Sequence, residues 1–170
     1  MASPVLAPHA GSAGLTRPAT LVWLVVLCLA VGGVGGWVTS DAVREWYPTL
    51  AKPAWTPPNW LFGPVWTALY LCIGVAGWRV SAVAARSGVR AAWRTWWVQL
   101  GLNAAWSPLF FGAHRVGAAA LVIVALWIAI ATFIVQAWRG ARPAAWLFVP
   151  YLAWVSYASA LNLAIWQLNR

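Results

Sequence analysis

The sequence predicts an all-α membrane protein built as a five-transmembrane-helix bundle. Hydrophobic residues make up 63% of the 170 residues and charged residues only 8%, whereas soluble domains carry about 25% charged residues. The apolar runs are about 20 residues long, which is the length of a membrane-spanning helix. Strands of a membrane barrel would instead alternate in polarity over about 10 residues.

The chain divides into a short tail and one membrane domain. Residues 1–18 are rich in Ala, Pro, Ser and Gly, so we expect a disordered N-terminal tail, with residues 19–170 forming the domain. The first apolar run covers about 19–40. A cleaved signal peptide is the alternative, but the run is long and no A-x-A site follows it before Asp41. We therefore interpret the run as a retained helix.

The first helix ends in a glycine-rich segment and leads into an unusual loop. Gly32 and Gly36 are four residues apart, a spacing that favours close helix contact, either within the chain or in a homodimer. The following segment, DAVREWYPTLAKPAWTPP (41–58), is too proline-rich to be helical throughout and too aromatic for a plain linker.

Four more helices follow, with a basic loop, SAVAARSGVRAAWR (81–94), after the first of them. The prolines at 57 and 58 suit the entry of the second helix. The predicted helices cover about 59–80, 92–111, 116–138 and 143–167.

The distribution of cations predicts the orientation of the bundle. Seven of the eleven Lys and Arg residues lie on the side of the N terminus, and four lie on the opposite side with both acids, Asp41 and Glu45. This bias predicts a cytoplasmic N terminus, and the alanine- and arginine-rich composition suggests a bacterial cytoplasmic membrane. The cations lie between apolar stretches, so we expect contact with lipid headgroups and no nucleic-acid partner.

Sixteen tryptophans are the most unusual feature of the composition. An interfacial aromatic belt explains those near helix ends or in loops, namely Trp46, Trp55, Trp60, Trp93, Trp96, Trp97, Trp138 and Trp166. It does not explain the four that lie deeper in their apolar runs, which are Trp66, Trp106, Trp127 and Trp154.

Three of the deep tryptophans share a helix face with polar or small residues. Helical spacing places them on the sets Gln99–Asn103–Trp106, Trp154–Ala158–Asn162 and Trp66–Tyr70–Gly74–Gly77. An amide is costly in hydrocarbon unless it is paired or lines a cavity, so these faces should point inward. The amides then either hydrogen-bond between helices or anchor a ligand in an aromatic pocket. The large rings favour a flat, conjugated ligand.

Several chemistries lack the residues they need. His9 lies in the tail and His114 in a short loop, so haem ligation by two intramembrane histidines is not expected. Both acids lie in the first loop, so we expect no intramembrane carboxylate relay. The pattern predicts no metal site and no hydrolytic catalytic set, and no cofactor is required.

At four places the sequence resembles the translocator protein family, also called tryptophan-rich sensory proteins. Four segments carry the resemblance, and they occur in order, spread over about 130 residues of the chain. They are EWYPTLAKPAW (45–55), WTPPNWLFGPVWTALY (55–70), QLGLNAAWSPLFFGAHRVGAAAL (99–121) and VPYLAWVSYASALNLAIWQLN (149–169).

The resemblance implies a five-helix bundle, often dimeric, that binds tetrapyrroles such as protoporphyrin IX and haem under a lid formed by the first loop. It implies a lid that includes Trp46, Tyr47 and Trp55. It also implies a ligand-binding pocket lined by Trp66, Tyr70, Asn103, Trp106, Trp154, Ala158, Leu161 and Asn162. Some bacterial relatives degrade protoporphyrin under light with two tryptophans, and Trp66 and Trp154 occupy the matching catalytic positions.

The chain departs from the family pattern in two places. The sterol motif of animal members needs a tyrosine and a basic residue where this chain has Leu163 and Gln167, so sterol binding by that motif is not expected. Ala118 stands where many relatives carry a pocket-lining tryptophan.

Three functional hypotheses follow from the sequence. The first is a tetrapyrrole-binding membrane protein that acts as a sensor, scavenger or carrier. The second is an enzyme that degrades porphyrin with light and oxygen. The third is a transporter or helper subunit with no tetrapyrrole role.

Overall fold

A computed structural model describes residues 18–85 and 89–170 of the chain, which are helical with no strand in those ranges. The tail predicted over residues 1–18 therefore lies outside the described residues, apart from Pro18. The long helices are α1 (Pro18–Val38), α3 (Asn59–Ser81), α4 (Arg90–Ser107), α5 (Val116–Ala137) and α6 (Arg142–Leu168), and α2 (Ser40–Glu45) is a short helix in the first loop.

Four of these helices, α1, α3, α5 and α6, are long and apolar enough to cross a membrane. The sequence predicts five spans, and α4 is the one that falls short on these criteria. It has 18 residues, and Arg90, Arg94, Gln99 and Asn103 lower its hydropathy. Both of its amide side chains are nevertheless buried within the protein.

Glycines allow α1 and α3 to approach closely. A Cβ added at Gly74 would lie 2.8 Å from the Val25 Cα, so the two backbones are nearly in contact there. Gly32 lies against the Tyr70 ring in the same way. The close helix contact predicted at Gly32 therefore occurs within the chain. At Gly36, by contrast, an added Cβ would have no atom within 4 Å.

Trp96 fills the centre of the bundle between α3 and α4. Its side chain is fully buried, its Nε1 donates to the Ile73 carbonyl over 2.9 Å, and its ring lies against Gly77. The prediction that Trp96 belongs to the interfacial belt is therefore wrong. Trp96 lies on the face of α4 that packs against α3, so a residue near a helix end in sequence is a core residue.

The turn between α4 and α5 is unusually tight. The chain continues from α4 as a π-helical turn (Pro108–Gly112), and His114 then adopts a positive φ of 53°. Asparagine, aspartate and histidine are the non-glycine residues most often found in this conformation. The turn lets α5 run back beside α4 and brings Phe110 and Phe111 to the loop end of the bundle.

We expect Gly74→Ala to destabilise the bundle by about 1–3 kcal/mol, because its methyl group would overlap the Val25 backbone. Reversible unfolding of the detergent-solubilised chain measures the effect. Gly101→Ala is the matched control, since a Cβ there meets nothing within 4 Å, and we expect it to stabilise α4 by about 0.5–1 kcal/mol. Equal effects of the two changes would contradict the packing described for α1 and α3.

Candidate functional site

A cavity of about 410 Å³ lies among the helices towards the first loop. This volume falls within the range of about 300–1,000 Å³ that is common for small-molecule sites. Aromatic side chains from α3, α4, the π-helical turn and α6 form much of the wall, namely Phe62, Trp66, Tyr70, Trp106, Phe110, Phe111 and Trp154.

Helical periodicity explains why these rings share one space. Phe62, Trp66 and Tyr70 follow one another at four-residue intervals on α3 and so form one stripe. On α6, Trp154, Ala158 and Leu161 are spaced by four and then three residues, so they also share one helix face. The small side chain of Ala158 leaves room between the two larger ones. The rings also brace each other: Trp66 and Tyr70 are 5.6 Å apart, and Trp154 and Phe62 meet edge to face at 5.7 Å.

Asn103 links three helices at the inner end of the cavity. The Tyr70 hydroxyl donates to Asn103 Oδ1 over 2.6 Å, and Asn103 Nδ2 donates to the Tyr151 hydroxyl over 2.6 Å. All three side chains are buried. A buried polar group that kept no partner would be costly, so this network fixes α3, α4 and α6 relative to one another.

Asn162 plays the same part nearer the loop end. Its Oδ1 accepts from Trp106 Nε1 over 3.0 Å, and its Nδ2 donates to the Val116 carbonyl over 3.0 Å. Both amides therefore make the hydrogen bonds between helices that were one of the two predicted roles, and both line the cavity. Each amide already uses its oxygen and one of its donors in hydrogen bonds within the protein. Few of its hydrogen-bonding groups therefore remain for a polar group of a ligand.

Gln99 does not take part in this arrangement. It is buried, and it is absent from the cavity wall. Its Nε2 donates to the Trp96 carbonyl of its own helix over 2.9 Å, while Oε1 has no hydrogen-bond partner among the described residues. Of the three residues predicted to share a face, Asn103 and Trp106 line the cavity and Gln99 does not.

Tyr47 closes the loop end of the cavity. The side chain is 5% exposed and packs against Phe110 and Phe111, with ring centroids 6.3 and 5.6 Å away. Burial raises the pKa of the Tyr47 phenol, and the neighbouring Tyr157 raises it further. The phenol therefore stays neutral across the physiological range.

Lys52 holds the backbone of the first loop, the segment from Trp46 to Trp55 that was predicted to be a lid, in a tight curve. Its Nζ donates to the carbonyls of Tyr47, Pro48 and Leu50 over 2.8, 3.2 and 3.0 Å. The same ammonium lies 4.9 Å from the centroid of the Tyr47 ring, which adds a cation–π attraction.

Tyr157 of α6 and Asn169, the residue that follows this helix, fasten the lid to the bundle. Asn169 makes a reciprocal pair with the backbone of Ala51, accepting from its N–H over 3.0 Å and donating to its carbonyl over 2.9 Å. The Tyr157 hydroxyl donates to the Trp55 carbonyl over 2.7 Å. The lid is thus fixed at two points along the segment between α2 and α3.

The sequence profile of the TspO/MBR family matches residues 24–167. The chain is 43% identical over 157 residues to "Tryptophan-rich protein TspO" of Chlorobaculum tepidum, covering 88% of this chain and 96% of that protein. It is 38% identical over 145 residues to "Protein CrtK" of Rhodobacter capsulatus, covering 85% and 89%. It is also 38% identical over 144 residues to "Translocator protein" of Ovis aries, covering 80% and 84%.

The chain belongs to the TspO/MBR family. This membership and the four apolar helices identify it as an integral membrane protein of the tryptophan-rich sensory and translocator type.

Most of the predicted ligand-binding residues of this TspO/MBR chain lie on the cavity wall. Trp46 and Trp55 do not: Trp46 stacks on His114 at 4.1 Å, and the exposed Trp55 ring contacts Tyr157 at 5.6 Å. The other nine line the cavity, namely Tyr47, Trp66, Tyr70, Asn103, Trp106, Trp154, Ala158, Leu161 and Asn162.

Sequence reasoning missed many of the wall residues, among them Phe110 and the glycines at the end of α1. Phe110 lies seven residues after Asn103 on a continuous helical path, so periodicity alone could have included it. The glycines at the end of α1 were assigned to helix contact only, yet Gly33, Gly35 and Gly36 also line the cavity. Ala118 is not among the lining residues, and Trp127 points outward, where its Nε1 donates to Ser156 Oγ over 2.7 Å.

The wall described here is electrically neutral. None of the lining residues that the structure describes is Asp, Glu, Lys, Arg or His, and no cluster of metal-binding side chains occurs within residues 18–85 and 89–170. Apart from Asn103 and Asn162, the polar groups near the loop end include Thr39 Oγ1 and Ser107 Oγ, which lie 3.5 Å apart.

We expect Asn103→Leu to lower the free energy of unfolding by about 1–3 kcal/mol, because two buried phenols would lose their amide partner. Gln99→Leu is the matched control on the same helix. It removes a buried oxygen without a described partner, so we expect a change within about 1 kcal/mol. Chemical unfolding in detergent measures both, and a larger loss for Gln99→Leu would contradict the network.

Proposed function

We propose that this TspO/MBR chain binds a tetrapyrrole, protoporphyrin IX or haem, in the ring-lined cavity and acts as a sensor, scavenger or carrier. The observation that carries the proposal is the aromatic wall itself, with rings from several helices around one neutral space of about 410 Å³. The conjugated macrocycle of such a molecule can stack on these rings and lose water. Its two propionate groups find no cation on the described wall, so we expect them to stay outside the apolar part of the cavity.

The cavity suits the apolar ring of a tetrapyrrole better than its metal. The described lining includes no imidazole, thiolate or thioether, which are the common protein ligands of haem iron. The phenol is the remaining type of candidate, and the Tyr47 phenol is kept protonated by burial. We therefore expect protoporphyrin IX to bind at least as tightly as haem.

We also propose that α4 is a fifth membrane span, which places the two termini on opposite sides of the membrane. The distribution of cations then favours a cytoplasmic N terminus and an outward C terminus. Eighteen residues of helix extend about 27 Å, and the π-helical turn to Gly112 adds length. The polar side chains that lower its hydropathy include Gln99 and Asn103, which face the protein interior. The bilayer therefore meets a more apolar surface than the composition of α4 suggests.

Light-dependent porphyrin degradation is the second candidate function, and the position of two tryptophans favours it. Trp66 and Trp154 both line the cavity, so both would lie beside a bound macrocycle. Indoles are oxidisable and can quench an excited macrocycle or react with the oxygen species it generates.

The test is a titration of the detergent-purified chain with protoporphyrin IX, followed by tryptophan fluorescence in the dark and by absorbance under illumination. We expect saturable quenching with a Kd of about micromolar. A spectrum that stays stable in light would support a binder without turnover. Light- and oxygen-dependent loss of the Soret band would support the enzyme.

Trp66→Phe and Trp154→Phe test which residues carry any such bleaching, and Trp127→Phe is their control because its ring lies outside the cavity. We expect the two cavity variants to lose bleaching sharply and the control to keep it. Absence of saturable binding in the dark would remove the tetrapyrrole function and leave the third hypothesis, a transporter or helper subunit.

A further inference from the structure

The cavity wall is incomplete on the side where α1 faces α3. Several residues there line the cavity and are exposed, namely Gly33, Gly36, Asn59, Gly63 and Thr67. Elsewhere, the lining residues Tyr47, Tyr70 and Phe110 are buried. We infer that the group of exposed lining residues marks the side on which the wall is open.

The opening arises because α1 and α3 diverge beyond their glycine contacts. The two helices nearly touch at Val25 and Gly74 and again at Gly32 and Tyr70. Beyond that point, a Cβ added at Gly33, Gly36 or Gly63 would meet nothing within 4 Å. Glycines at a helix contact usually face another backbone, whereas these three face open space.

The other sides of the cavity are less exposed, and among their described lining residues only Ala104 on α4 is exposed. Towards α4, Gly35 lies against Ser107, although Ala104 is exposed there. Towards the outside of α6, Trp154 lines both the cavity and a shallow apolar groove, so its ring separates the two. At the loop end, opening the lid would break the two Asn169 bonds and the Tyr157 bond. No comparable bond spans the gap beside Gly33, Gly36 and Gly63 among the hydrogen bonds of the described residues.

The gap lies at the depth where an amphiphilic ring would reside in a bilayer. Gly36 and Gly63 are a few residues inside the ends of α1 and α3. Trp37 and Trp60, on the same helix ends, are 79% and 72% exposed. Exposed tryptophans are typical of the membrane interface, so the gap faces the outer part of the hydrocarbon region.

We propose that this gap is a lateral portal through which a membrane-dissolved, flat amphiphile passes between the bilayer and the cavity. The proposal rests on the proposed binding function and adds the route and the physical state of the ligand. The first loop is then a fixed roof, and the ligand reaches the cavity without leaving the lipid phase.

Narrowing the gap should slow entry and exit together. In lipid vesicles, we expect Gly36→Leu and Gly63→Leu each to lower the association and dissociation rate constants of protoporphyrin IX by about tenfold, so that Kd changes far less than either rate. The Ala variants should give smaller changes in the same direction and keep the test usable if a Leu variant fails to fold. Gly101→Leu is the control, since Gly101 is exposed but does not line the cavity, and it should leave both rates unchanged.

Locking the lid tests the competing route. Ala51→Cys and Asn169→Cys, in a chain with Cys28 and Cys72 replaced by alanine, place two thiols where a hydrogen-bonded pair now joins the loop to α6. A lateral portal predicts the same dark binding rates for the oxidised and the reduced protein. Slower association on oxidation, with native rates for the Gly36 and Gly63 variants, would overturn the portal and make the lid the entrance. Absence of saturable binding by the native chain would be a distinct result, because it would overturn the binding function itself.

Discussion

The requirement that polar groups find partners in a medium without water governs this structure. Asn103 is the centre of that constraint, because its amide would be costly in hydrocarbon and is satisfied only by phenols from two other helices. The bonds fix the distance between α3, α4 and α6, and the rings that follow at helical spacing then have to share one space. The cavity is therefore a consequence of satisfying the amide, as well as of the size of the aromatic side chains.

Glycine supplies the complementary freedom. Where α1 meets α3, the absence of side chains lets the backbones approach, and a few residues later the same absence leaves a gap. The glycines of α1 thus allow a close contact with α3 at one level and leave a gap at the next. The course of α3 determines which of the two occurs. The tryptophans are divided similarly: Trp96 is sealed in the core, Trp106 is held by Asn162, and Trp154 is held by packing alone among the described residues.

The sequence predicted the long helices and nine of the residues on the cavity wall, because apolar length and a period near four residues are local properties. It did not predict that Trp96 is buried or that Gln99 misses the cavity, since both depend on how α4 is rotated against its neighbours. Gly33 and Gly36 could not be assigned to a gap from sequence, because a glycine carries no sign of what faces it. Trp46 and Trp55 were expected in the pocket only from the family resemblance, and their rings pack against His114 and Tyr157 instead.

The neutrality of the wall has an energetic consequence for a protein that lives in an electric field. Moving one elementary charge across a membrane potential of 100 mV costs or yields about 2.3 kcal/mol. The cavity wall, as far as the structure describes it, carries no ionised side chain that would shift within that field. The wall itself therefore moves no charge when the cavity fills or empties, so any dependence of its occupancy on the membrane potential would have to come from charges on the ligand.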